Sequence, residues 1–235
     1  MFVNLNLNSI SRFALDIFYP NRCPCCNGFI SYDKYICEDC IQSMQDPTDK
    51  LCKFCGFALE RCKCGQGIFY DRAFTCYTYD GLARKGVLSL KNASSLNFGY
   101  HVANILSERI KNEVIKYDII VPIPMHIRKK LKRGYNQAEV IALEISKSLN
   151  VPIDKNALRV KYSSNVQHKL SKKDRILNAN EIYYAGKSNL KDKYIILIDD
   201  IMTTGSTLNV CSNILHSMGA KSVIVAVATS DQLKT

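Results

Sequence analysis

An apolar run from Tyr194 to Ile198 ends in two adjacent carboxylates, Asp199 and Asp200. Thr203, Thr204, Gly205, Ser206 and Thr207 follow, and a helix-like pattern begins there. Strand, tight turn and helix start, in that order, make an anion site. The first N–H groups of a helix have no intrahelical partner, and the helix dipole favours negative charge. Carboxylates just ahead of such a turn accept hydrogen bonds from sugar hydroxyls, and a diol held beside a phosphate is a ribose 5-phosphate. Backbone N–H groups and hydroxyls of residues 203–207 would cup the phosphate, with Gly205 allowing close approach. An acidic pair after a strand also occurs in receiver domains and behind P-loops, but no G-x-x-x-x-G-K-[ST] is present. A plain helix cap built from Ser, Thr and Gly is the other reading.

The loop resembles the phosphoribosyl pyrophosphate (PRPP) binding loop of type I phosphoribosyltransferases. PRPP would bind with Mg²⁺, Asp199 and Asp200 holding the ribose. A second element is Pro122-Ile123-Pro124, followed by a run from Arg128 to Arg133 in which five of six residues are basic. A basic loop after a strand end would meet a pyrophosphate or the phosphates of a nucleic acid, or would simply be solvated. Arg133 and Asn136 stand out, beside a glycine and a helix start; Arg133 would stabilise the leaving pyrophosphate. Lys91, after the apolar residues 87–90, either reaches the phosphates or lies on the surface. A third element, residues 165–178, is polar and basic and fits a flap over the site. It holds Gln167, His168 and Arg175; His168 is either an acid–base group or an idle surface histidine.

Ten of the eleven cysteines lie between Cys23 and Cys76. In a reducing compartment such clustering favours metal over disulfides. Cys23/Cys26 and Cys37/Cys40 are two C-x2-C pairs, each a knuckle offering two thiolates to one tetrahedral Zn²⁺. Gly28 is placed where the first knuckle turns. Cys52/Cys55 and Cys62/Cys64 form a second set whose closing pair is C-x-C, a less comfortable bite. Pairing could interleave, Cys23/Cys26 sharing an ion with Cys52/Cys55, so one or two structural zincs are expected. Cys25, Cys76 and Cys211 read as small buried hydrophobes.

These residues need a frame. Residues 74–79 read as a strand, 82–90 and 100–115 as helices, and 118–124 as a buried strand that ends at its prolines. Residues 136–149 make a helix with Ala138, Ile141, Ala142, Ile145 and Leu149 on one stripe, and Asn136 with Glu139 resembles a capping box. Residues 158–161, 194–198 and 222–228 supply further strands. A last helix, 206–218, carries Leu208, Cys211, Leu215 and Met218 inward, with Gly219 just past its end. Alternating strands and helices argue for an α/β fold with a largely parallel sheet covered on both faces. Ligands in such sheets sit at the carboxyl ends of the strands.

The chain of 235 residues is long enough for a sizeable core, and its net charge of +11 suits polyanionic ligands without identifying one. No apolar run reaches the ~20 residues that span a bilayer. The first 19 residues lack the basic start and apolar centre of a signal peptide. Phe13, Leu15, Ile17 and Phe18 suggest a short docking helix that Pro20 ends, and the protein is expected to be soluble and cytoplasmic. The expected division is a docking segment (1–22), a zinc ribbon module (23–69) and an α/β domain (70–235).

Taken together, residues 15–20, the cysteine ribbon, residues 74–91, Arg133-Gly134-Tyr135-Asn136-Gln137, the Gln167…Leu170…Arg175…Asn178 pattern and residues 199–207 resemble the ComF competence-protein family, GntX-like proteins included. The resemblance covers nearly the whole chain. It implies a double zinc ribbon joined to a type I phosphoribosyltransferase-like domain, and, as some members do, a part in DNA uptake during natural transformation. Phosphoribosyl transfer to an unnamed acceptor is one expectation. The alternative is a non-catalytic module that senses PRPP or binds single-stranded DNA, with other competence proteins as partners.

Overall fold

A computed structural model of the chain describes residues 20–161 and 182–233. Its centre is a four-stranded, all-parallel sheet in the order β1 (Arg72–Thr78), β6 (Ser222–Ser230), β5 (Tyr194–Met202), β2 (Ile119–Pro122). The central strands β5 and β6 are apolar on both faces, and alternation sorts their side chains into two cores. Ile196, Ile198, Ile224, Ala226 and Ala228 face α2 (Gly81–Lys91), α3 (Asn97–Lys111) and α5 (Gln137–Leu149), meeting Val87, Leu90, Val102, Leu106, Ile141 and Ile145. Ile195, Leu197, Val223, Val225 and Val227 face α6 (Ser206–Ser217), meeting Leu208, Cys211 and Leu215. Each fully buried Ile, Leu or Val among them contributes about 2 kcal/mol.

The cysteine-rich segment, which carries the short helix α1 (Glu38–Ser43), and the loop after α5 cover the sheet edges. Ala73 N–H donates to the Lys53 carbonyl and Thr78 N–H to that of Gln45, both at 3.0 Å, along the outer side of β1. On β2, Ile120 N–H donates to Pro152 and Asp154 N–H returns a bond to Ile120, each 2.9 Å. Unpaired edges would template association with another chain, so this cover also keeps the sheet closed to strangers. Arg109 of α3 ties the segment down further, donating to Asp46, Thr48 and the Thr75 carbonyl.

Most expected elements are present with shifted ends. α3 begins three residues before the expected helix because Ser95 Oγ accepts the Asn97 N–H at 3.1 Å. Its Phe98 then lies so close to Gly86 of α2 that a Cβ there would come within 2.1 Å of the ring. The basic run, expected as a loop, is a short helix, α4 (Ile127–Arg133), which the left-handed Gly134 ends with its N–H on the Lys130 carbonyl. The expected strand at 158–161 exists as β3 (Leu158–Val160) but lies outside the main sheet. It pairs antiparallel with β4 (Tyr183–Ala185), for which the sequence carried no clear signal. The expected docking helix and the expected flap, with Gln167, His168 and Arg175, lie outside the described residues. Among the described residues no helix is long and apolar enough to cross a membrane.

Candidate functional site

The two acids sit near the carboxyl end of β5, where strand alternation turns them to opposite sides. Asp199 continues the row of Ile195 and Leu197 towards α6; Asp200 continues that of Ile196 and Ile198. Both line one cleft of about 190 Å³, with Lys91, Ile123, His126, Lys129, Arg133 and Gln137 among its other walls. Lys91, the last residue of α2, places Nζ 3.0 Å from Asp200 Oδ2. Its side chain, a quarter exposed, thus stands on the wall of this cleft.

A small hydrogen-bond frame holds the cleft. Ile123 N–H extends the β2–β5 ladder to the Ile198 carbonyl at 2.9 Å. Asn136, 3% exposed, caps α5 by accepting the Ala138 N–H and donates Nδ2 to the Ile123 carbonyl at 2.8 Å. Both ends of its side chain are thus engaged in joining α5 to the strand end. Glu139 does not complete the expected capping box, because Lys130 takes its carboxylate at 2.9 Å. Arg133 Nη1 donates to Gln137 Oε1 at 3.1 Å, and Gln137 Nε2 and the Tyr135 hydroxyl both donate to the Leu90 carbonyl. The Gly134 turn therefore fixes the end of α2, and Lys91 with it. His126 caps α4, Nδ1 accepting the Arg128 N–H at 3.2 Å.

His126 and Gln137 received no role from the sequence, and Lys129 only its share in the basic run. Gln137 stood inside the quoted Arg133–Gln137 motif; the proximity of His126 to Pro124 was the only sign of that residue.

The hydroxyl loop follows β5 directly. Gly205 adopts φ 72° and caps α6, and Thr204 Oγ1 lies 2.9 Å from Ser206 Oγ. Thr204, Gly205 and Ser206 border a separate hollow of about 310 Å³ that also touches Phe57, Lys63 and Phe69 of the cysteine-rich segment. The acids and the loop hydroxyls are thus contiguous in the chain but open on different hollows.

Burial, then the neighbouring Asp200 charge, raises the Asp199 pKa well above the carboxylate range; the Asp200 N–H and Lys91 oppose this. A folded-state pKa above the unfolded value means stability fully present below about pH 4 and lost as pH rises through the folded value. Asp199→Asn keeps an acceptor for the Asp200 N–H and removes the charge. We expect it to melt higher than the parent at pH 8, by about 3 °C or more, with the gap closing towards pH 4 in thermal melts. A lower melting point at pH 8 would contradict the buried-charge reading.

The eight expected thiols form two separate cages, Cys23/Cys26/Cys37/Cys40 and Cys52/Cys55/Cys62/Cys64, the sulfurs of each within 4.8 Å of one another. Interleaved pairing is not observed. Cys26–Cys37, Cys52–Cys64 and Cys55–Cys62 sulfurs stand 3.7, 3.6 and 3.7 Å apart. A tetrahedral zinc with Zn–S of about 2.3 Å requires edges of about 3.8 Å, so the cages fit the ion. The C-x-C pair is accommodated because each of its sulfurs meets a different partner of the Cys52/Cys55 knuckle.

The knuckles are alike. Cys23 N–H donates to Gly28 and Asn27 N–H to Cys23; Cys52 N–H donates to Phe57 and Gly56 N–H to Cys52. Their left-handed residues are Asn27 (φ 64°) and Gly56 (φ 70°), so the expected turn residue, Gly28, is displaced by Asn27, whose side chain tolerates that conformation. Burial opposes the Cys52 thiolate, but backbone groups of Cys55 and Phe54 and nearby thiols bring its pKa down to about 7. Cys25, Cys76 and Cys211 are buried outside the cages.

Comparison with known proteins adds the following. A phosphoribosyl transferase domain model matches residues 93–234, and a double zinc ribbon domain model matches residues 14–73. With the sulfur geometry, the second match assigns both cages to structural zinc. Competence protein F of Haemophilus influenzae is 33% identical over 110 residues, 46% of this chain and 48% of that protein, so the match spans about half its length. Competence protein ComFC of Bacillus subtilis is 23% identical over 207 residues, 80% of each chain. Among solved structures, adenine phosphoribosyltransferase of Leishmania tarentolae aligns over 64% of this chain and 88% of its own, at 13% identity and a TM-score of 0.40.

Proposed function

Because the chain belongs to the ComF family, a phosphoribosyltransferase-type domain behind a double zinc ribbon, we propose that it binds PRPP with Mg²⁺ and serves DNA uptake. The observation that carries this reading is the cleft where Asp199, Asp200 and Lys91 converge beside Arg133. Asp199 and Asp200 accept hydrogen bonds from the ribose 2- and 3-hydroxyls. Residues 203–207 receive the 5-phosphate on N–H groups and hydroxyls, the Thr204–Ser206 contact opening to admit it. Lys91 leaves Asp200 for the diphosphate, and Arg133 neutralises the departing charge. Bound Mg²⁺ supplies further charge to the diphosphate.

In transfer, the bond from C1 to the diphosphate oxygen breaks with its electron pair leaving on pyrophosphate. A nitrogen nucleophile forms the new C1–N bond from the opposite face and releases its proton. The protein contributes position and charge, which together account for most of the barrier such sites remove. Residues 70–235 do this chemistry, residues 23–69 mount it, and the cytoplasm, where thiols stay reduced, is the compartment we assign.

The test is a titration of PRPP with Mg²⁺, followed by a pyrophosphate-release assay across amines and nucleobases. Saturable binding with pyrophosphate release supports transfer. Binding without release from any acceptor favours a sensor, and no binding removes the proposal.

A second reading rests on α4, whose Arg128, Lys129 and Lys132 are exposed beside the cleft. These suit the phosphates of single-stranded DNA. Neutralising all three is expected to weaken binding at low salt and to flatten the log–log salt dependence by about one unit per lost contact. An unchanged slope in a filter-binding series would exclude this helix.

A further inference from the structure

The second zinc ribbon stands against the hydroxyl loop and leaves little room for a side chain at the loop glycine. A Cβ placed on Gly205 would lie 3.1 Å from Phe57 Cζ and 3.2 Å from Met202 Cε. One placed on Gly56 would lie 3.1 Å from Met202 Sδ. Met202 is therefore held between a knuckle glycine and the loop glycine, at 1% exposure, with Phe57 at 4% beside it. Neither side chain lines the cleft of Asp199 and Asp200.

The ribbon is in no position to drift from this contact. The Cys52–Phe57 knuckle bonds lock Phe57, and the Tyr70 hydroxyl donates to the Cys55 carbonyl at 2.8 Å. At the ribbon's far end, Asn209 of α6 accepts the Phe69 N–H at 2.7 Å and donates to the Gly67 carbonyl at 2.9 Å. Lys63 Nζ covers the Phe57 ring at 4.2 Å from its centroid. On the loop side, the Met202 carbonyl accepts the Asp231 N–H at 2.9 Å.

We infer that Phe57 is a positioning residue: it braces Gly205 in its left-handed turn, so that the second ribbon sets the affinity for the 5-phosphate by holding that turn. The affinity clause rests on the PRPP reading above. A turn that hinges on a glycine has many conformations, and ordering it at the moment of binding would subtract from affinity. A rigid ring behind the turn settles that ordering in advance.

The test compares Phe57→Ala with Ile36→Ala, a 2%-exposed position of the first ribbon that packs into the other core. Both variants are checked for two zincs per chain. Hydrogen exchange of residues 203–208 is then followed with PRPP absent, and PRPP with Mg²⁺ is titrated. Phe57→Ala is expected to speed exchange in 203–208 and to weaken PRPP binding, each by about tenfold, while Ile36→Ala changes both by less than about twofold. Unchanged exchange in Phe57→Ala, or equal acceleration in Ile36→Ala, overturns the inference. If the parent takes up no PRPP, the phosphoribosyl reading fails, and the exchange arm still decides whether Phe57 braces the loop. Should Phe57→Ala not fold, Phe57→Leu gives the same readouts at about threefold amplitude, and wild-type exchange in that variant is equally contrary.

Discussion

Replacing Asp199 and Asp200 together by Asn is expected to abolish the heat of PRPP titration with Mg²⁺. Hydrogen bonds into an ionised carboxylate contribute about 1.5–3 kcal/mol each. Losing two such acceptors weakens binding by about 10²–10⁴-fold, which removes a micromolar ligand from calorimetric view. The amides keep the side-chain shapes, and the Asp200 N–H retains an acceptor at position 199. Lys91 loses its 3.0 Å partner and remains available to phosphate, so any residual binding should come from the anion end alone.

The parent should show a pH signature that the double variant lacks. Asp199 holds its proton above the usual carboxylate range, because of burial and then the Asp200 charge. In the proposed complex the sugar hydroxyls donate into the ionised form, so binding is expected to expel that proton and affinity to fall as pH drops. Undiminished titration heat in the double variant would remove both carboxylates from the site. Because Asp199→Asn by itself is expected to stabilise the fold at pH 8, lost binding will not be mistaken for unfolding.

The second large effect is zinc loss. Protein purified without chelator should carry two zincs per chain by elemental analysis, and Cys64→Ser or Cys40→Ser should each remove one. Structural zinc contributes about 10–16 kcal/mol in zinc-finger peptides, against a total stability of about 5–15 kcal/mol for an ordinary domain. The ribbons are not appendages here. Cys23, Ile36 and Cys40 share a core with Val102 and Leu106, while Cys52, Cys55 and Phe57 share the other with Val225 and Leu208. Emptying a cage therefore opens part of the α/β core and uncovers the outer side of β1. We expect either variant to melt at least about 10 °C lower and to aggregate on heating. Parent protein without zinc would defeat the assignment.

Local features of the sequence carried much of this molecule. The continuous apolar runs at 194–198 and 222–228 were enough to identify two-sided strands and to put Asp199 and Asp200 near the end of one, although β5 continues through both acids to Met202. The C-x2-C spacings marked the knuckles. The basic run misled because charge repulsion reads as a loop, whereas α4 is secured from outside: Lys130 pairs with Glu139, and Gly134 closes its end. β4 is three residues long, too short for periodicity to register, and it forms only against β3.

Spacing and apolar runs act over a few residues, and they determined the central strands, the acids near the end of one with the hydroxyl turn after them, and the knuckle pairs. Which thiols share a cage, the reach of Lys91 to Asp200, the frame through Gln137 and the pressing of Phe57 on Gly205 were decided only by tertiary structure. All but the first join segments far apart in the chain. Such contacts form once the long loops between them have closed and the two cores have packed, so no short window of residues encodes them.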